Sequence, residues 1–181
     1  MIRPASSVIR YAHFFRLARV RRVLDYGAGP LRNALYLSGE GFHVYAADVP
    51  ERVKALAAHP QAGELAGILT VGELPQAGLS VDLVLCTFVF NILATRSHRK
   101  QYLGNVVANL RCGGYFLIEV NSRQEDCVPC GSVLQHYYSC DGTAKSYSHD
   151  ELDRLLAPFG LERICHYYSS HALAAVYRLA Q

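Results

Sequence analysis

"VLDYGAGPLRN", residues 23–33, is an apolar run ending in an acidic residue, followed by two glycines one residue apart and then by Pro30, Leu31 and Arg32. An apolar strand that breaks at glycine and runs into a helix presents backbone N–H groups at the helix start. Without β-carbons at Gly27 and Gly29, a ligand can also approach the main chain closely. A nucleotide suits such a turn. The dinucleotide fingerprint, however, requires a further glycine where this chain has Arg32, which turns the reading away from dehydrogenases.

Outward from the turn, short apolar runs alternate with helix-like segments, the pattern of a parallel α/β sheet. Strands are expected at "RVLDY", "HVYAAD", "GILTV", "VDLVLCTFV" and "YFLIEV", largely apolar and β-branched as strands covered on both faces should be. Helices are expected to start near Ser6 or Ser7 and to cover 31–39, 50–58, 97–110 and 150–157, the last opened by the cap "SHDE". The closing runs "GLERICHYYSS" and "HALAAVYRLA" read as a hairpin, so one of them runs antiparallel to the rest. The stretch 121–147 is longer than the roughly 15 residues at which structureless loops become suspect, and reads as a lid-like insertion.

The chain has 181 residues, 51% hydrophobic and 18% charged, the balance of a single globular domain spanning 1–181. A formal charge of +3 is too small to imply a polyanionic partner. Arg10, Arg16, Arg19, Arg21 and Arg22 crowd the segment before the first strand. They read as a solvated helix face, because no aromatic-rich RNA-binding pattern or zinc-finger pattern accompanies them. Residues 1–20, the expected N-terminal helix, are broken by charge every few positions, unlike a signal peptide. No stretch reaches the roughly 18 uninterrupted apolar residues of a membrane span. A cytoplasmic protein without a disulfide frame is expected, with Cys86 and Cys165 in apolar runs.

A carboxylate two places before the first glycine suits a ligand carrying a positive amino group and is unhelpful beside a pyrophosphate. S-adenosylmethionine (SAM) carries both an ammonium and a sulfonium. Asp48, ending the second strand about 20 residues further on, is placed to hold a ribose diol. With these residues in view the chain resembles the Rossmann-like SAM-dependent methyltransferases. "VLDYGAG" looks like their first motif, "VYAADVP" their second, "VDLVLCTFVFNIL" their fourth, and "LRCGGYFLIEV" the strand that follows. "RNALYLSGEGFHVYAAD" is most similar to the small-molecule branch that includes tellurite-resistance and thiopurine methyltransferases. The resemblance spans residues 20–121 and the terminal hairpin. It implies a Rossmann-like, mainly parallel seven-stranded sheet with helices on both faces and an antiparallel strand near the end of the chain.

Carried over residue by residue, the resemblance makes Asp25, Gly27 and Gly29 the floor beneath the methionine moiety. Asp48 becomes the ribose partner, serving the ligand and supporting nothing in the core. Thr87 and Phe88 face the methionine end, and Glu73 or its neighbours after the third strand line the adenine, although "LTVGELP" lacks the usual acidic residue at the strand end. Two positions depart from the family: Leu31 replaces the third glycine, expected to ease packing of the helix on the strand, and Cys112 replaces a proline before Gly113 and Gly114.

Methyl transfer from a sulfonium is an in-line displacement, so alignment and exclusion of water do much of the work and no base is compulsory. The acceptor is expected beyond the carboxyl ends of the strands, near Phe88 to Asn91 and under 121–147. There His136 is the candidate base, Asn91 a polar contact and Tyr138, with Tyr137, an orienting aromatic. Cys127, Cys130 and Cys140 with His136 could form a tetrahedral zinc site, but the second C-x-x-C is lacking and no metal is expected. The leading reading is methylation of a small-molecule acceptor. The rivals are a non-catalytic SAM-binding or partner subunit, and a methyltransferase acting on RNA or protein.

Overall fold

The structure is a computed structural model that describes residues 3–122, 145–169 and 171–180. In chain order it runs α1 (Ser6–Leu17), β1 (Arg22–Tyr26), α2 (Arg32–Gly39), β2 (His43–Asp48), α3 (Pro50–Ala57), β3 (Gly67–Thr70), α4 (Leu74–Ala77) and β4 (Val81–Thr87). It continues with α5 (Arg96–Asn109), β5 (Leu110–Asn121), α6 (His149–Leu156), β6 (Leu161–Tyr168) and β7 (Ala172–Leu179). The seven strands form one sheet in the order β3-β2-β1-β4-β5-β7-β6. The first five are parallel, and β7 pairs antiparallel with both β5 and β6. The expected architecture is therefore the one found, with β7 the reversed strand of the hairpin.

Alternating side chains divide the apolar residues of the strands between two layers. Leu83 and Leu85 of β4 face a cluster that holds Val8 and Phe15 of α1 and Leu37 of α2. Val84 and Cys86 face one that holds Leu103 and Val106 of α5 and Leu152 of α6. Central strands buried on both faces have to be apolar throughout, which is why they read as continuous runs.

Several boundaries move for local reasons. The fourth strand was expected to reach Val89 but stops at Thr87, because Phe88 adopts a φ of 58° and residues Phe90–Ile92 wind into a 3₁₀ turn. The helix expected over 31–39 begins at Arg32, since Leu31 is left-handed. The short α4 was not anticipated; Leu74–Ala77 is too brief to carry a helical period. The one cap expected from sequence is found, Ser148 accepting the Glu151 N–H as "SHDE" implies; in the same way Thr95 accepts that of His98 at the start of α5. Sheet order reverses at β1, whose neighbours β2 and β4 send their connections to opposite faces. The crevice beyond these carboxyl ends is where an open α/β sheet binds ligands.

Candidate active site

Beyond Tyr26 the chain turns sharply against β2, where Gly27 and Ala28 both donate to the Ala47 carbonyl, at 2.7 and 3.1 Å. Gly27 has a φ of 90°, and a β-carbon there would lie 2.3 Å from Val89 Cγ2, so no other residue fits without displacing the turn after β4. Gly29, at φ 53°, donates to Asp48 Oδ2 at 2.7 Å, and Asp48 Oδ1 accepts from Val49 N at 2.8 Å. Asp48 therefore supports the fold, contrary to expectation: it ties the glycine turn to the end of β2. An ionised carboxylate offers about four acceptor positions, so two N–H contacts leave capacity for a ribose diol.

Asp25 lies beneath the turn, 1% exposed, and neither carboxylate oxygen has a hydrogen-bond partner at ordinary distance among the described residues. Burial pushes its carboxyl up to about 7, against the opposing charge of Arg32 and with the added repulsion of Asp48. A cation arriving above it would relieve that penalty.

Two adjoining cavities occupy the crevice. The larger, about 520 Å³, is lined by Asp48 and Val49 after β2, Val71 and Gly72 after β3, and Tyr102 and Asn105 of α5. Its back wall is firm: Tyr26 and Tyr102 stack with ring centroids 3.9 Å apart, and Asn105 Nδ2 donates to the Tyr26 hydroxyl at 3.0 Å. The smaller, about 130 Å³, is lined by Gly27, Gly29, Arg32, Asn33, Thr87 and Phe88. Gly27, Val89, Ile92 and Arg52 border both.

Of the residues singled out from sequence, Gly27, Gly29, Asp48, Thr87 and Phe88 thus converge on one crevice, with Asp25 just beneath. Glu73 stands apart from both cavities. It is exposed, and its carboxylate turns back onto Thr70, accepting from the N–H at 2.6 Å and the hydroxyl at 2.7 Å, bonds that hold its carboxyl below the usual range. Its neighbours after the third strand, Val71 and Gly72, line the larger cavity. Asn91 is buried and lines neither cavity; its side-chain amide donates to the Lys145 carbonyl, and its main-chain carbonyl accepts the Lys145 N–H at 3.0 Å. His136, Tyr137, Tyr138, Cys127, Cys130 and Cys140 lie outside the described residues. No metal-ligand cluster occurs among the described residues.

Sequence reading missed a polar row at the same end of the sheet. Thr87, Glu119, Ala174 and Tyr167 stand in register across β4, β5, β7 and β6. Glu119 is 3% exposed and accepts from the hydroxyls of Ser6, at 3.3 Å, and Ser7 in the first turn of α1. A glutamate inside "YFLIEV" was the available signal. Arg52 and Asn33, also missed, belong to helices whose pattern gives no hint that one end faces a crevice.

The profile of the family described as Tellurite resistance protein TehB matches residues 5–154. Among curated proteins none matches significantly. Of solved structures, TehB from Haemophilus influenzae is similar at 20% identity and a TM-score of 0.67, over 97% of this chain and 62% of that one. The Burkholderia thailandensis 1,6-didemethyltoxoflavin-N1-methyltransferase, bound to 1,6-didemethyltoxoflavin and S-adenosylhomocysteine, is similar at 18% and 0.66, over 97% and 79%. Magnesium protoporphyrin IX methyltransferase from Synechocystis, with S-adenosylhomocysteine bound, is similar at 16% and 0.70, over 96% and 82%. At these identities the likeness to the solved structures is one of fold.

Proposed function

The chain belongs to the tellurite resistance protein TehB family, and from that premise we propose that it is a SAM-dependent methyltransferase acting on a small-molecule acceptor. The observation that carries this reading is the pair of cavities on either side of Gly27 and Val89. The larger suits an adenosyl group with its ribose on Asp48. The smaller suits an amino-acid tail above the buried Asp25. Bound there, SAM supplies an electrophilic methyl group on a sulfonium.

The residues of this chain bind, orient and exclude water. Asp48 accepts from the ribose hydroxyls while keeping Gly29 in place. Val71 and Gly72 cover one face of the adenine, and the stacked tyrosines close the rear. Thr87 and Phe88 border the tail. The acceptor has to approach along the line of the breaking bond, so it comes from the end where β5 leaves at Asn121 and the chain returns at Lys145 on Asn91. On this reading His136 is the group that takes a proton from a hydroxyl or amine and Tyr138 the one that orients the acceptor. Asn91 serves by fastening the return.

Three of the five clustered arginines give a nucleic-acid acceptor no support. Arg16, Arg19 and Arg21 line a pocket with Glu40 at the amino ends of β1 and β2, away from the crevice, and Arg16 pairs with Glu40 at 3.1 Å. Calorimetry with SAM and S-adenosylhomocysteine (SAH) tests the proposal directly. Binding of both is expected, and failure of both to bind the folded protein at millimolar concentration would overturn it. Tight binding without turnover of any acceptor would instead mark a non-catalytic SAM-binding subunit.

A further inference from the structure

We propose that Asn33 is a positioning residue that sets the polarity of the Thr87 hydroxyl, making it a hydrogen-bond donor to the carboxylate of the amino-acid tail; this rests on the SAM reading above. A main-chain group fixes which way the hydrogen bonds run. Asn33 Oδ1 lies 2.9 Å from Ala5 N, and Asn33 Nδ2 lies 2.9 Å from Thr87 Oγ1. A backbone N–H can only donate, so the amide oxygen must face Ala5, and the amide nitrogen must then face Thr87. The order of donors follows without any hydrogen being seen: Ala5 N–H gives to Asn33, Asn33 gives to Thr87, and the Thr87 hydroxyl proton is left to give.

Asn33 is 2% exposed and Thr87 8%, so water does little to reset this order. Both side chains border the smaller cavity. Among the described residues no other side chain is hydrogen-bonded to the Thr87 hydroxyl. A donor at that wall demands an acceptor on the ligand. The ammonium of the tail has none to offer, whereas its carboxylate does. The wall at Thr87 and the carboxylate of Asp25 beneath the glycine turn then divide the two charges of an α-amino acid between them. Asn33 also carries the arrangement to the backbone just before α1, so the seat of the tail and the seat of that helix share one side chain.

The test exploits an isosteric change. In Asn33→Asp the new carboxylate still accepts from Ala5 N–H but has no N–H for Thr87, whose proton is drawn to it and away from the cavity. Thr87→Val removes the hydroxyl while keeping the shape. Affinity for SAH is measured by calorimetry in the wild type, in N33D, in T87V, in the double variant and in T87S, with melting curves for each. Each of N33D and T87V is expected to weaken SAH about tenfold, the scale of one hydrogen bond to a charged group. The double variant should be no weaker than either alone, and T87S should bind like the wild type. T87V should also leave 5′-methylthioadenosine, which lacks the amino-acid end, bound as before, a readout independent of whether N33D folds. Wild-type affinity in N33D, losses that multiply in the double variant, or equal weakening of SAH and 5′-methylthioadenosine by T87V would each overturn the inference. SAH failing to bind the wild type would overturn the reading of the site itself.

Discussion

Asp48 holds two jobs at once. Because its carboxylate accepts from Gly29 N and Val49 N, Asp48→Ala should do more than weaken SAM. It strands two backbone donors, so urea unfolding should show a loss of about 1–3 kcal/mol, and calorimetry should show an affinity drop of at least about tenfold. A variant with lowered affinity and unchanged stability would show that the turn holds without it. Asp25 carries the opposite signature. Its carboxyl titrates near 7 when folded and near the ordinary carboxylate value when unfolded. Its contribution is therefore fully favourable below the unfolded value and is lost as pH rises through about 7. Asp25→Asn should accordingly raise the melting temperature of the ligand-free protein at pH 8, by about 3 °C or more, and change it little at pH 4. Wild-type affinity for SAM should rise between pH 6 and 8 as the carboxylate forms, and in D25N that rise should vanish. At this scale the sequence was readable where a residue's chemistry is rare in its setting, as for an acid ending an apolar strand. It was unreadable for Asn33 and Arg52, polar residues on helices, whose roles depend on which end of the sheet the helix start faces.

At the scale of elements, the first turn of α2 shows why a departure from a motif need not break it. Leu31 takes the left-handed φ of 60° that a glycine would take freely, yet its side chain is fully buried. Leu31→Gly relieves about 1 kcal/mol of backbone strain but gives up a buried leucine, worth about 3–5 kcal/mol in comparable truncations. A net loss of roughly 2–4 kcal/mol is expected in urea unfolding. The expectation that the third glycine mainly eases packing had the position inside the helix; its left-handed backbone just before the helix is the physical demand. The same blindness explains β4. "VDLVLCTFV" is apolar to its end, and apolar pattern alone cannot show that Phe88 turns left-handed and ends the strand two residues early. Elements opened by a capping side chain, α5 at Thr95 and α6 at Ser148, were legible almost to the residue.

For the whole molecule, the alternation of runs and helices foretold a parallel sheet, and the terminal hairpin its one reversed strand. The order of strands came from the structure alone, since periodicity does not say which strands are neighbours. That order puts the glycine turn and Thr87 at one end of the sheet and Arg16, Arg19 and Arg21 at the other. SAH affinity should therefore change little between low and physiological salt, and any RNA bound should leave steeply as salt rises without altering the SAH isotherm. An isotherm shifted by RNA would reopen the case for a polymeric acceptor.

The place of β7 between β5 and β6 also constrains how the protein is made. When β5 has emerged from the ribosome, the strand that will cover its free edge has still to be translated, and it follows β6 in the chain. Until residue 179 is released, the growing polypeptide carries an unpaired, apolar edge, the kind of surface that recruits other chains. Nascent chains arrested after β6 should be cut readily by protease and held by chaperones, and only those that have cleared β7 from the exit tunnel should become resistant.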